Sequence, residues 1–157
     1  MRILVISDSH GDLLSIKKAI ESQDKVRDIF FLGDVLYDLE RVKALYPDKT
    51  FYAVKGNCDT ASAPLFDIAT IGTTRIFYCH GHKFGVKYTR EDLALAAKEN
   101  NCAVALYGHT HVPETTYMHG VTVVNPGSCA LPRGGSEKSY AVIDIEKNGI
   151  MPIIISI

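Results

Sequence analysis

The sequence of 157 residues lacks the features that mark several classes of protein. No apolar run approaches the ~20 residues of a membrane-spanning helix, and the first residues lack the basic region and cleavage site of a secretory signal. The formal net charge is only −1, so no excess of positive charge favours an extended nucleic-acid backbone as partner. We therefore expect a cytoplasmic protein with neither a membrane nor an extended nucleic acid as partner.

Cysteine is scarce and scattered. The four cysteines stand singly, with no C-x-x-C pair, at Cys58, Cys79, Cys102 and Cys129. Closely spaced cysteines mark thiolate zinc sites and disulfide frameworks, so this pattern favours neither. Cys79 and Cys102 lie inside apolar runs, and we expect both in the core.

The chain length suits one domain, which we assign to residues 1–157. Apolar runs predict strands at 2–7, 29–32, 50–55, 65–71, 74–79, 102–107, 114–119, 121–124, 139–145 and 150–155. Helical spacing predicts one helix after an Asp12 cap, one at 36–45, and one at 89–100 that begins with a Thr89/Asp92 capping box. Strands and helices alternate at first and hairpins follow, so we expect two mixed sheets packed face to face with helices outside.

Polar residues follow five of these apolar runs. The segments are Asp8-Ser9-His10, Gly33-Asp34, Gly56-Asn57-Cys58-Asp59, His80-Gly81-His82 and Gly108-His109-Thr110-His111. Open α/β sheets bind ligands at the carboxyl ends of their strands, so these side chains are expected to meet at one edge. In an extended segment Asp8 and His10 point the same way, and the two histidines of the last segment share that geometry.

Each segment alone has an ordinary structural interpretation. Asp34 and Asn57 each follow a glycine and could serve as turn or cap residues, and His80 could be a satisfied histidine at a sheet edge. Five segments with the same placement and complementary donors favour a common site instead.

The candidate metal ligands are Asp8, His10, Asp34, Asn57, His80, His109 and His111. Seven side chains are too many for one ion, but with one shared carboxylate they supply four ligands to each of two divalent metals. The mixed nitrogen and oxygen set suits manganese, iron, zinc, nickel or cobalt better than calcium or magnesium. Two such ions about 3.5–4 Å apart can hold a hydroxide and clamp the oxygens of an in-line phosphoryl displacement.

At these residues the chain resembles the calcineurin-like metallophosphoesterase superfamily, whose blocks D-x-H, G-D, G-N-H-[DE], a lone histidine and G-H-x-H occur in this order. The segment Asn125-Pro126-Gly127-Ser128, with Pro132-Arg133, resembles the closing segment of its small single-domain, YfcE-type phosphodiesterases. The resemblance spans nearly the whole chain. It implies an α/β fold, a four-layer αββα sandwich of two mixed β-sheets flanked by helices.

The resemblance also implies roles for the seven donors. Asp8, His10 and His111 would bind a first metal, Asn57, His80 and His109 a second, and Asp34 would bridge them. Asn57 would in addition orient the substrate phosphate. The chain departs from the superfamily at Cys58, where most members carry a histidine that contacts phosphate or protonates the leaving group. Asn57, Asp34 and Cys58 are therefore the candidate catalytic residues, and substrates with poor leaving groups are expected to react slowly.

Three functions compete. The leading prediction is a dinuclear-metal phosphodiesterase that attacks small phosphodiesters with a metal-bridging hydroxide. The alternative is a protein-interaction scaffold of the retromer-subunit type with a vestigial metal site, which the complete donor set disfavours. A nuclease is disfavoured by the near-neutral charge. The resemblance also makes a homo-oligomer plausible.

Residues flanking the donors are less informative. His82 is adjacent to the site and could assist it, but it precedes Lys83 and is expected to be solvated. His119 precedes Gly120 and is expected in a turn. Tyr107 and Arg133 are candidates for the substrate entrance.

Overall fold

Ten strands and three helices follow one another along residues 1–157, all of which the computed structural model describes. In chain order they are β1 (Arg2–Ile6), α1 (Leu13–Ser22), β2 (Asp28–Phe31), α2 (Leu36–Lys43), β3 (Thr50–Ala53), β4 (Phe66–Ile71), β5 (Thr74–Cys79), α3 (Glu91–Glu99), β6 (Val104–Leu106), β7 (Glu114–Met118), β8 (Val121–Asn125), β9 (Ser139–Glu146) and β10 (Gly149–Ser156). Every predicted strand and helix is present, with ends that differ by a few residues.

The strands form two five-stranded mixed sheets. The first sheet has the order β10-β9-β1-β2-β3, and the second has the order β4-β5-β6-β8-β7. In the first sheet β1, β2 and β3 run parallel, as their alternation with helices predicts. In the second sheet β4 and β5 form the predicted hairpin, and β5, β6 and β8 run parallel.

Three apolar cores separate four layers. The inner core lies between the two sheets and includes Val5, Phe30 and Leu106. One outer core joins the first sheet to α1 and α2, and the other joins the second sheet to α3. The predicted αββα sandwich is therefore confirmed. No helix has both the length and the apolar content to cross a bilayer.

Of the three helices, only α1 begins with a side-chain cap. The Asp12 carboxylate accepts the Ser15 backbone N–H at 3.0 Å and caps α1, as predicted. The predicted capping box of α3 is wrong, because Arg90 occupies the cap position and its side chain makes no cap hydrogen bond. The Thr89 hydroxyl instead accepts the Glu91 N–H at 3.1 Å, two residues along the chain, whereas a capping box requires the N–H three residues along.

Strand β10 forms one edge of the first sheet. It follows β9 after the two-residue turn at Lys147 and Asn148, in a register that pairs Gly149 with Glu146 and Pro152 with Ile143. The Ile157 N–H bonds to the Lys138 carbonyl at 2.9 Å. In this ladder the backbone N–H and C=O groups of odd-numbered β10 residues therefore point toward β9. The backbone nitrogen of Pro152, an even-numbered residue, therefore points to the free edge. The pairing of β10 with β9 loses no hydrogen bond through the missing N–H.

Candidate metal centre

The seven predicted donors lie at the carboxyl ends of strands in both sheets. Asp8, Asp34 and Asn57 follow β1, β2 and β3 of the first sheet, and His80 and His109 follow β5 and β6 of the second. Of the six histidines in the sequence, five belong to this cluster: His10, His80, His82, His109 and His111. A cavity of about 480 Å³ at the opposite edge, beside Met1 and Gly72, contains none of these donors.

Asp8 is fully buried, and only one of its carboxylate oxygens has a hydrogen-bond partner. Its Oδ2 accepts the Ser7 hydroxyl at 2.6 Å and the His109 N–H at 3.1 Å. Its Oδ1 has no hydrogen-bond partner, and lies 3.3 Å from His111 Nε2 and 3.9 Å from His80 Nε2. A buried carboxylate oxygen without a donor is costly, so this site fits a cation between Asp8 and the histidines.

Backbone carbonyls orient two of the histidines toward that position. His80 Nδ1–H donates to the Leu32 carbonyl at 2.7 Å, and His111 Nδ1–H donates to the Leu131 carbonyl at 2.6 Å. In each ring the proton on Nδ1 leaves a lone pair on Nε2, which is the arrangement of a metal-ligating histidine with its outer hydrogen bond. Both Nε2 atoms face Asp8.

Asp34 lies centrally between the donors and is buried. Its Oδ2 is 3.5 Å from His80 Nε2 and 3.9 Å from His10 Nε2, while its Oδ1 accepts the Cys58 N–H at 2.9 Å. Gly56 passes so close that a Cβ on it would lie 1.9 Å from Asp34 Oδ1. Glycine at position 56 is therefore what leaves room for this carboxylate.

Ligand atoms within 4.8 Å of one another form three overlapping triads. They are Asp8, His10 and His111; His10, Asp34 and Cys58; and Asp8, Asp34 and His80. His10 Nε2 also lies 3.3 Å from His111 Nε2. Asp8, His10 and Asp34 each belong to two triads, so the structure brings five predicted metal ligands and Cys58 into one continuous cluster.

Asn57 and His109 lie at its margin. The exposed Asn57 places Oδ1 3.2 Å from His80 Nε2 and donates from Nδ2 to the Cys58 sulfur at 3.4 Å. The His109 ring lies against the His80 ring, with centroids 5.0 Å apart, and outside the three triads. The His109 side chain thus lies beside His80, whereas the His111 side chain lies beside Asp8.

Charge and burial set the protonation of these groups. Burial lowers the pKa of His109 to about 4, helped by the charge of His80, so its ring is neutral at pH 7. The Asp8 carboxylate, 3.3 Å from its Nε2, raises the pKa of His111. Burial by itself would raise the pKa of Asp8, but the neighbouring His111 and His80 rings outweigh burial and lower that pKa. Burial and then Asp34 raise the pKa of the Cys58 thiol.

The extended geometry expected for Asp8-x-His10 and His109-x-His111 is wrong. Strands β1 and β6 end at Ile6 and Leu106, and all four donors adopt left-handed backbone conformations, with φ between 40° and 69°. The donors converge because the chain turns sharply there, and such strained turns are typical of functional sites.

Two expectations about flanking residues also fail. His82 is not solvated: it is half-buried, its ring centroid lies 5.4 Å from that of His80, and its Nδ1 is buried without a partner. Tyr107 does not line an entrance, because it is fully buried and its hydroxyl bonds Arg90 and Glu114. Arg133 is exposed, and its N–H bonds the His111 carbonyl at 3.1 Å, so it does flank the site. His119 lies in the predicted turn.

Sequence reasoning missed the residues that position the donors. Asp59 accepts the backbone N–H groups of Asp34, Leu36 and Gly56 at 2.6–3.0 Å and so ties two ligand loops together. The buried Ser128 donates to the Asp8 carbonyl at 2.7 Å. Position 59 matches the final acidic position of the G-N-H-[DE] block, which was the available signal for Asp59.

Comparison with known proteins places these features in a family. The model of the calcineurin-like phosphoesterase superfamily domain matches residues 1–148. The probable metallophosphoesterase YsnB of Bacillus subtilis is 36% identical over 94% of this chain and 86% of its own length. The phosphodiesterase YfcE of Escherichia coli is 30% identical over 98% of this chain and 91% of its own length. The crystal structure of a predicted phosphoesterase from Streptococcus pneumoniae superposes with a TM-score of 0.86 at 32% identity, covering 99% of this chain and 88% of that chain.

One matching protein is not named as a phosphoesterase. Vacuolar protein sorting-associated protein 29 of Schizosaccharomyces pombe is 32% identical over 94% of this chain and 80% of its own length. Similarity to these proteins therefore does not by itself decide whether the chain is an enzyme or a protein-interaction scaffold.

Proposed function

The chain belongs to the calcineurin-like phosphoesterase superfamily, and on that premise we propose that it is a dinuclear-metal-dependent phosphodiesterase of small phosphodiesters. The observation that carries the proposal is the orphaned Oδ1 of Asp8, fully buried and facing the Nε2 atoms of His80 and His111. Unpaired buried acceptors are rare unless a ligand satisfies them, and a divalent cation suits this combination of oxygen and imidazole nitrogen.

Two sets of residues would hold the ions. Asp8, His10 and His111 would hold the first, and Asn57, His80 and His109 the second, with Asp34 between them. The positions of Asp34 in two triads and of the His109 ring beside His80 support this division. When bound, two such ions supply a nucleophilic water at neutral pH and positive charge for the phosphoryl oxygens. The donors suit manganese, nickel, zinc, iron or cobalt.

The protein's own residues would orient the substrate. Asn57 is exposed at the mouth of the site, where one N–H of its amide donates to the Cys58 sulfur and the second would bond a phosphoryl oxygen. Arg133 is exposed beside His111 and has no carboxylate within 4.0 Å, so its charge is free to attract an anion. A short substrate with one phosphodiester group would contact both residues.

Leaving-group chemistry narrows the proposal further. Cys58 stands at the mouth, where its thiol has a raised pKa and is a weak proton donor. Diesters whose leaving group departs without a proton, such as aryl diesters, are the favoured class. The phosphodiesterase YfcE supports the diester reaction through its name and its 30% identity.

The experiment is a substrate panel on metal-stripped protein reloaded with manganese, nickel, zinc or magnesium. We expect about two transition-metal ions per chain by elemental analysis and faster hydrolysis of bis(p-nitrophenyl) phosphate than of p-nitrophenyl phosphate. An Asp34→Asn variant measured in parallel separates this site from a contaminating phosphatase. Binding of only one ion, or equal activity in the variant, would overturn the dinuclear assignment.

The scaffold alternative rests on the similarity to vacuolar protein sorting-associated protein 29. A scaffold has no need of a complete donor cluster, whereas this chain keeps all seven donors. The same panel decides the matter, since a scaffold would show no metal-dependent turnover of any diester. The cytoplasmic location is part of our proposal, because four free cysteines, one of them exposed, suit a reducing compartment.

A further inference from the structure

We propose that Cys58 is an additional ligand of the first metal and gives the site a preference for thiophilic ions such as zinc, cadmium and cobalt. The inference rests on the metal site of the proposed function and adds a thiolate to its oxygen and nitrogen donors. Soft thiolate ligands favour zinc and other thiophilic ions over manganese and magnesium. The superfamily blocks place a histidine at this position, so the ligand would be particular to chains that carry cysteine here.

The geometry places the Cys58 sulfur among the candidate metal ligands described above. Cys58 Sγ, a ring nitrogen of His10 and a carboxylate oxygen of Asp34 lie within 4.8 Å of one another. An ion bonded to all three needs ligand separations of this order, because metal–sulfur bonds are about 2.3 Å and metal–nitrogen or metal–oxygen bonds about 2.0–2.2 Å. His10 and Asp34 also connect this triad to the other two.

The cluster contains buried acceptors as well as the exposed thiol. Asp34 is 2% exposed, and Asp8, which shares a triad with His10, is fully buried with Oδ1 unpartnered. Asp34 shares the triad of the sulfur, and Asp8 Oδ1 faces the Nε2 atoms of His111 and His80 in the adjoining triads. A cation in this cluster is therefore favoured independently of the cysteine itself. The other three cysteines are buried in the cores, so Cys58 alone can reach the site.

The backbone holds Cys58 in place for this role. Its N–H donates to Asp34 Oδ1 at 2.9 Å, which fixes the residue against the central carboxylate. The Asn57 amide donates to its sulfur at 3.4 Å, so the sulfur already acts as an acceptor at the mouth of the site. When the sulfur–metal bond forms, the thiol proton passes to the buffer and the metal takes the proton's place on sulfur.

Cobalt spectroscopy tests this directly, without using activity. Metal-stripped protein is titrated with Co²⁺, whose visible d–d bands report that cobalt is bound and whose intense near-ultraviolet charge-transfer band reports a thiolate ligand. The wild type is compared with Cys58→Ser and with Cys102→Ser, a matched control in which the serine can keep the bond to the Asn100 carbonyl. We expect the charge-transfer band in the wild type and the control, and its loss in Cys58→Ser with the d–d bands retained.

Metal affinity provides a second readout. We expect Cys58→Ser and Cys58→Ala to weaken Zn²⁺ and Cd²⁺ binding about tenfold or more, while Mn²⁺ affinity changes little. Bound cobalt without a charge-transfer band in the wild type would overturn the thiolate ligand and leave the dinuclear site intact. Persistence of the band in Cys58→Ser would likewise overturn the thiolate ligand alone. Failure to bind cobalt at all would instead overturn the proposed function together with this inference.

Discussion

Replacing Gly56 by alanine should damage the metal site without any change to a ligand. Gly56 adjoins Asn57 and packs against Asp34, the carboxylate we place between the two ions. Its backbone does not adopt the left-handed conformation, so alanine is acceptable at this position as far as φ is concerned. The added methyl group alone accounts for the expected effect.

The size of the effect follows from the distances. The new Cβ would lie 1.9 Å from Asp34 Oδ1 and 2.7 Å from the Asp34 backbone nitrogen, whereas ordinary contact begins at 3.4 Å. The carboxylate must therefore retreat by about 1.5 Å, and a misplacement of about 1 Å in a catalytic site can lower the rate about 100-fold. Overpacking of this kind lowers the free energy of unfolding by about 1–3 kcal/mol.

The assay combines urea unfolding, cobalt or zinc titration, and turnover of bis(p-nitrophenyl) phosphate at saturating metal. Gly149→Ala is the matched control, because a Cβ at that exposed position meets no atom within 4 Å. We expect turnover of Gly56→Ala to fall by about 100-fold and that of Gly149→Ala to stay at the wild-type level. A folded Gly56→Ala protein with unchanged metal affinity and unchanged turnover would refute the central position of Asp34.

Three further predictions concern single side chains. Asp34→Asn should lower turnover of an aryl diester by about a further factor of ten compared with Asp8→Asn, because Asp34 lies between both donor sets, and the opposite order at saturating metal would contradict the bridging role. Cys58→His should raise turnover of cyclic or alkyl diesters about tenfold or more, and of nitrophenyl diesters much less, because imidazole is the better proton donor near neutrality. An equal change for the two kinds of substrate, measured at equal metal occupancy, would count against Cys58 as the residue that sets the leaving-group preference. Asp12→Ala should lower the free energy of unfolding at pH 7 by about 1 kcal/mol in urea titrations. In the folded protein burial would raise the pKa of Asp12, but Lys138 and Ser15 outweigh it and lower the pKa to about 2. This stabilisation is therefore present above the ordinary pKa and is lost progressively as the pH falls through the folded pKa. A stability difference that does not shrink between pH 7 and pH 2 would contradict this reasoning.

The order of the strands and helices could be predicted because it depends on local apolar patterns. The limits of the elements depend on what each end contacts, and here the functional residues themselves end the strands. Asp8 and His109 leave the ladders in left-handed turns, which period-two reasoning cannot anticipate. The expected homo-oligomer and single-domain organisation stay predictions.

The donor types could be recognised in the sequence, but their supports could not. Asp59 binds the backbone of Asp34 and Leu36, more than 20 residues away along the chain, so only the folded structure reveals its partners. Tyr107 illustrates the opposite error, because an aromatic residue next to a ligand motif suggested a binding role. Its hydroxyl instead hydrogen-bonds with Arg90 and Glu114, which also bond each other. In both cases tertiary hydrogen bonds decide the role.

The proline at the edge of the first sheet limits how copies of this chain can assemble. A second strand laid along β10 would require a donor at position 152, and would meet a pyrrolidine ring there instead. Repeated strand addition, which leads to fibrous aggregates, is therefore disfavoured at the middle of an edge that is mostly apolar and eight residues long. If copies of this chain associate, we expect them to meet through side-chain surfaces rather than by extending the sheet through β10.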